Sequence, residues 1–343
     1  MKNMATLRTL LSQAPSWELW NRIVEHLDDW EEAETRGMAL DYTRQHLKAS
    51  WAPGWLLPNG GWPESSKGWS LARGERTSIH SLPQATVVWC PPGRFEMGTH
   101  TNDPDGTHWE SPPTQVHLTR PFWLQTTPVT LAQWQAILST SPSSFDNPKM
   151  PVEMVSWYDA IAFCNALSRT EGLEEAYILS EEEGIPGNNE QPFLCRVEWK
   201  GLDCEGYRLP TSAEWEYAAR AGTSGPRYSN QLNDIAWTSD NSNGTLHPVA
   251  RKAPNPWHLF DMYGQVWEWC SDASKVNDVS PYPGGELQDP VNDDYDAQEA
   301  RVLRGGSWYV PPWYARASYY AYIEPTRRVH NFGFRLARTA SVS

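Results

Sequence analysis

Two short motifs, Arg304-Gly305-Gly306-Ser307-Trp308 and Gly333-Phe334-Arg335, bracket a segment dense in aromatic residues: Tyr309, Trp313, Tyr314, Tyr319, Tyr320, Tyr322 and Phe332. Their spacing follows neither the 3.6-residue period of a helix nor the alternation of a strand, and Pro311 and Pro312 interrupt both. Such a segment is either an aromatic core cluster or a loop that offers contact surface. The prolines and the many hydroxyl groups favour contact surface. Tyr and Trp supply large, rigid, amphipathic area at low entropic cost, and a loop of this kind needs a rigid scaffold beneath it.

The composition is consistent with such a scaffold. The 343 residues include 20 Trp, 23 Gly and 28 Pro, which favours a loop-rich α+β domain over a helical bundle. Tryptophan at that level builds a core and lines sites. The net charge of −14 argues against nucleic acid, because phosphate binding needs a basic face, and against an anionic membrane surface. No apolar run reaches the ~18–20 residues of a membrane span. Met1 to Thr6 shows no apolar signal region, so the expected location is cytoplasmic. The cysteines, Cys90, Cys164, Cys195, Cys204 and Cys270, form no CxxC pair and are expected to be free thiols.

The chain divides at about residue 80. Residues 1–50 are expected to be helical, with Ser16 as N-cap and Trp17, Trp20, Ile23, Val24, Leu27 and Trp30 on one face. Trp51, Trp55, Trp62 and Trp69, set among Gly and Pro, form a strap to residue 70. Residues 81–343 form the main domain, with residues 305–335 as its binding region. Within it, Ala85–Trp89 is strand-like, residues 171–206 are an excursion or small hairpin, and helices are expected over 157–169, capped by Ser156, and from Thr211 to about Arg220.

Metal-ligating residue types occur in two places. Asp105, His108 and Glu110 lie in a turn-rich segment without a matching partner and read as a solvated loop. In Asp261-Met262-Tyr263-Gly264-Gln265-Val266-Trp267-Glu268-Trp269, two carboxylates flank a glycine turn. Either hard oxygen ligands converge there on calcium, or Asp261 caps a turn and Glu268 pairs with an arginine.

The ordered set Pro92-Gly93-Arg94-Phe95-Glu96-Met97-Gly98, Pro128-Val129-Thr130, Pro151 to Trp157, Tyr207-Arg208-Leu209-Pro210-Thr211, Glu214-Trp215-Glu216, Gly264 to Trp269, Arg304 to Trp308 and Gly333-Phe334-Arg335 resembles the formylglycine-generating (sulfatase-modifying) enzyme family over residues 85–338. The resemblance implies an α+β domain of the C-type lectin fold. It also implies a structural calcium ion held by Asp261 and Glu268 with the carbonyls of Gly264 and Val266. In the enzymes a cysteine pair after the Gly-Gly-Ser-aromatic motif binds copper. The matching positions here are Val310 and Ala315, and alkyl groups do not replace thiolate ligands, so no copper and no catalytic residues are expected.

The segment between the end motifs also resembles the binding region of the variable proteins of diversity-generating retroelements, where randomised adenines in AAC or AAT codons yield many residue types. Tyr309, Val310, Tyr314, Ser318, Tyr319, Tyr320, Ala321, Tyr322, Ile323, His330, Asn331 and Phe332 are reachable that way, and Trp313 is not. This resemblance implies a non-catalytic protein that binds a macromolecular ligand, expected to be protein, through Tyr309, Val310, Trp313, Tyr314, Ser318, Tyr320, Tyr322, Ile323, His330 and Phe332. The alternatives are an oxygen-dependent oxidase with an altered metal site and a structural adaptor that uses residues 1–80.

Overall fold

The computed structural model describes residues 76–99, 103–274, 284–292 and 300–340. The helices expected in residues 1–50 and the strap at 51–70 lie outside the described residues. The strands, in chain order, are β1 Arg76–Ser78, β2 Thr86–Cys90, β3 Gly93–Met97, β4 Thr114–Leu118, β5 Phe122–Gln125, β6 Tyr177–Glu183, β7 Leu194–Trp199, β8 Ala236–Trp237, β9 Tyr263–Gly264, β10 Trp267–Ser274, β11 Gly285–Gln288, β12 Ala300–Arg304, β13 Tyr320–Ile323, β14 Phe332–Gly333 and β15 Ala337–Thr339. The helices are α1 Leu131–Ile137, α2 Trp157–Thr170, α3 Ser212–Arg220 and the single turn α4 Leu232–Ile235. This is the expected mixed α+β architecture, rich in short strands and loops.

Capping fixes where the three longer helices begin. Thr130, Ser156 and Thr211 each accept a backbone N–H three residues on, and Gln133, Asp159 and Glu214 reach back to the cap. Each box satisfies donors that a helix start otherwise leaves unpaired. Helix α2 is buried along most of its length, with Trp157, Ile161, Phe163 and Leu167 inside. Phe163 lies 5.5 Å from Phe334 and 5.4 Å from Trp134. A second cluster forms where α3 places Trp215 and Ala218 against Val88, Leu124 and Val302.

Two four-stranded sheets carry the topology, in the orders β1-β2-β5-β15 and β13-β12-β10-β14. In the first, the final described strand pairs with β5, Ala337 opposite Leu124, so the last strand closes onto the first part of the domain. In the second, β12 lies between β10 and β13, with Arg304 opposite Glu268 on one side and Tyr320 on the other. Strand β14 runs parallel to β10, Phe332 beside Trp267. This sheet therefore holds both ends of the aromatic segment. The excursion at 171–206 is the hairpin β6–β7.

Buried arginines join the elements. Arg208, ahead of α3, makes a two-pronged pair with Glu214 at 2.6 and 2.7 Å. Glu216 receives Arg220 at 2.7 Å and Arg304 of β12 at 3.1 Å. Glu268 of β10 receives Nε and Nη2 of Arg335, both at 2.6 Å, and the Trp215 indole N–H at 2.7 Å. Removing one partner of such a pair strands a charge in the core, at a cost of ~3–5 kcal/mol. Arg335→Met is accordingly expected to lower the urea-unfolding free energy by roughly that amount. A loss below ~1 kcal/mol would show that Glu268 finds another partner.

Candidate functional site

The aromatic segment leaves β12 through Gly305 and Gly306, whose φ angles are 93° and 75°. A Cβ on Gly306 would sit 3.1 Å from the Tyr314 carbonyl carbon and 3.2 Å from the Ala315 nitrogen, so the chain can cross itself there only at glycine. Trp308 then turns inward onto Leu246 and Val266, edge-on to Phe145 at 5.8 Å. The Asn331 side-chain amide donates to Ser307 Oγ at 2.9 Å and ties the two ends of the segment together.

Between those ends, arginines hold the backbone by its carbonyls. Arg227 donates to Ala315 O at 2.7 Å and to Pro312 O at 3.0 Å. Arg316 donates to Trp313 O at 2.8 Å, and Arg304 donates to the carbonyls of Ala317 and Ser318 at 3.1 Å each. Strand pairing with β12 fixes residues 320–323. The path of the loop is thus set by groups other than its outward side chains.

Those side chains fall into three groups. Tyr309 and Trp313 project into solvent, 61% and 51% exposed. Val310, Tyr314, Tyr320, Tyr322, Ile323 and His330 are half-buried. Tyr314 leans on Trp267 at 6.0 Å and on Tyr319 at 4.8 Å, and His330 meets the Tyr309 ring edge-on at 5.0 Å. Ser318 and Phe332 do not belong to the surface, contrary to the expectation of exposed side chains. Ser318, 2% exposed, donates its hydroxyl to Glu110 at 2.5 Å. Phe332, 8% exposed, packs edge-on against Trp269 at 5.5 Å because β14 is drawn into the sheet beside β10.

The structure adds Trp109 to this region. It is 48% exposed, and its carbonyl accepts the Tyr320 hydroxyl at 3.0 Å. Its neighbour Glu110 is buried and grips Arg316 at 2.7 Å through each carboxylate oxygen. Glu110 is therefore an internal ion-pair partner and not part of a solvated loop. Its contacts with Arg316 and with the Ser318 and Thr107 hydroxyls outweigh burial and hold its carboxyl below the usual range. Among the described residues no three His, Cys, Asp or Glu side chains group as metal ligands.

The two carboxylates expected to hold calcium each have a protein partner in this structure. Calcium takes oxygen ligands at ~2.3–2.6 Å. Both Glu268 oxygens already face the Arg335 guanidinium, whose charge would lie against the ion. Asp261 accepts the Ala250 N–H at 2.7 Å, and burial raises its pKa to about 6. The arginine-pairing reading of Glu268 matches the geometry.

Thiol chemistry is equally remote. The cysteines are free, and burial pushes the Cys90, Cys164, Cys204 and Cys270 thiols up, with Cys195 raised to about 12. Reactive cysteines sit in sites that lower the thiol pKa. Val310 is half-buried and Ala315 fully buried, the latter packed in the cluster with Trp215. Glu153, with a carboxylate oxygen that lacks a hydrogen-bond partner, is raised to about 7 by burial against the pull of the Phe145 and Ser144 amides.

Residues 75–340 match the family model of the sulfatase-modifying factor enzyme 1-like domain. The formylglycine-generating enzyme of Streptomyces coelicolor is 29% identical over 75% of this chain and 90% of its own length. The inactive C-alpha-formylglycine-generating enzyme 2 of Bos taurus is 27% identical over 70% and 81%. The chaperone protein LppX of Paenibacillus barcinonensis is 35% identical over 43% of this chain, a match that spans 61% of that protein. Among solved structures, Treponema denticola variable protein 1 superposes with a TM-score of 0.61 at 30% identity, covering 75% of this chain and 95% of that one.

Exposure sorts the aromatic residues by what they do for stability. Replacing Tyr309 and Trp313 together by Ser is expected to change the unfolding free energy by no more than about 0.5 kcal/mol per site. Trp267→Ala, in the core beneath Tyr314 and Tyr319, is expected to cost ~3–5 kcal/mol. Equal losses in thermal or urea melts would make the outward aromatics part of the core.

Proposed function

The chain belongs to the sulfatase-modifying factor enzyme 1-like domain family, and from that premise we propose that it is a non-catalytic member, a variable-type protein that displays a diversified aromatic surface to a macromolecular partner. The observation that carries this reading is the separation of path from display in residues 309–323. The guanidinium groups of Arg227, Arg304 and Arg316 hold the loop by its main chain, while Tyr309 and Trp313 point outward with little packing to lose. Side chains can change on such a loop without changing the fold. The likeness to a variable protein at 30% identity supports the same reading.

The proposed face comprises Tyr309, Val310, Trp313, Tyr314, Tyr320, Tyr322, Ile323 and His330. Contact residues that dominate binding are typically Trp, Tyr and Arg, and this set is rich in the first two. A protein partner fits it best, since aromatic side chains pack against mixed polar and apolar surface and the net charge of −14 opposes nucleic acid. Positions 310 and 315 carry alkyl groups, no cysteine follows Cys270, and the relatives include one whose name marks it as inactive.

The test is sequencing of the coding segment for residues 300–340 across natural isolates, with an activity assay beside it. Variation is expected to concentrate at the exposed and half-buried positions of the face. Arg304, Gly305, Gly306, Arg316, Ser318 and Phe332 are expected to stay constant, and the copper-loaded protein is expected to leave a sulfatase-type cysteine peptide unconverted. Variation spread evenly through the segment would remove the variable-protein reading, and formylglycine in the peptide would favour the oxidase.

A further inference from the structure

A cleft of about 540 Å³ opens elsewhere on the domain, and none of its lining residues belongs to segment 309–332. Its volume lies within the ~300–1,000 Å³ typical of small-molecule sites. Four stretches build it: Pro83–Gln84, Thr126 to Gln133, Pro148–Lys149, and Pro248 to Arg251, with Phe260 between them.

The walls are tied to one another. Gln133 donates its side-chain amide to Pro83 O at 3.0 Å. Val249 N–H donates to Lys149 O at 3.0 Å, and Phe260 N–H donates to Thr126 O at 2.8 Å. Ala250 N–H is held by the buried Asp261 carboxylate at 2.7 Å. The cleft walls are therefore held by the protein's own hydrogen bonds. Two of its lining residues, Gln84 and Ala250, hold left-handed backbone with φ of 54° and 57°. Non-glycine residues persist there only where the surroundings enforce it, and such positions cluster at ligand sites.

The chemistry of the lining is one-sided. Phe260, Pro83, Pro148, Pro248 and Val249 supply apolar surface, and Thr126 and Thr127 supply hydroxyls. Lys149 and Arg251 supply positive charge, and no Asp or Glu lines the cleft. Both are exposed, and neither forms an ion pair with a described residue. Elsewhere on the surface Arg94, Arg120, Arg169 and Arg196 each face a carboxylate. Two cations that face no described carboxylate, at one apolar cleft, stand out in a chain with a net charge of −14.

We propose that this cleft is a binding site for a small organic anion with an apolar body. The Lys149 ammonium and the Arg251 guanidinium hold the charged head, a carboxylate or a phosphate monoester. The body lies against Phe260 and the three prolines. Arginine receives either head through paired N–H donors.

Isothermal titration of the full chain with 4-phenylbutyrate, phenyl phosphate and the neutral 4-phenyl-1-butanol tests the site. At least one anion is expected to bind ten-fold or more tightly than the alcohol, and the stronger of the two identifies the head group. Lys149→Met with Arg251→Met is expected to erase that preference, with the circular dichroism spectrum and melting temperature of the wild type. Tyr309→Ser with Trp313→Ser is expected to leave all three titrations unchanged, so the outcome is independent of the aromatic face. No binding by any probe, equal binding by all three, or an anion preference that survives the double methionine variant would overturn the proposal.

Discussion

Buried arginine–carboxylate pairing is the constraint on which the rest of this fold depends. The short motifs that stand far apart in the chain meet as charge partners in the interior. Arg208 of the Tyr-Arg-Leu-Pro motif holds Glu214, and Glu216 from the same Glu-Trp-Glu turn holds Arg304 of the Arg-Gly-Gly-Ser-Trp motif. Glu268 holds Arg335 of the Gly-Phe-Arg motif. A buried pair contributes little net stability against desolvation, yet a mispaired arrangement leaves a bare charge inside. The pairs therefore act here as a register, admitting one arrangement of α3, β10, β12 and the last strand and penalising others.

The same device explains how the domain carries an irregular surface loop. A long loop normally needs its own side chains to hold its shape. Here Arg304 and Arg316 spend their remaining donors on loop carbonyls, and Arg316 is itself fixed by Glu110 and Asp103. Ser318 and Asn331, which point inward, belong to this support. Tyr309 and Trp313 remain largely exposed. Trp109, carried on the segment that Glu110 anchors, extends the aromatic surface beyond the loop itself.

Much of this architecture is legible in the sequence where the determinants are local. The caps at Ser156 and Thr211 begin helices at the expected residues, and Ala85–Trp89 reads as strand against an observed Thr86–Cys90. Trp267 and Phe334 are core residues. Helix α1 is not legible in the sequence although Thr130 and Gln133 form its capping box, because seven residues give too little periodicity to stand out. What pairing decides over long separations is not legible. Glu110 and Arg316 are 206 residues apart, so Glu110 reads as a loop carboxylate. Glu268 offers a metal ligand or an ion-pair partner equally well until Arg335 is seen beside it. Ser318 and Phe332 share the composition of the exposed loop but are drawn inward by Glu110 and by strand pairing with Trp267.

If scaffold arginines and not outward aromatics set the loop, backbone protection should be indifferent to the displayed side chains. Amide hydrogen exchange across residues 307–323 measures this directly, compared between the wild type and the triple variant Tyr309→Ser, Trp313→Ser, Tyr322→Ser. Unchanged protection at Val310, Tyr314, Arg316 and Ala317, whose N–H groups donate within the loop and to Pro226, is the predicted result. A collapse of protection at those amides would contradict the account, because the aromatic side chains would then be holding the loop in place.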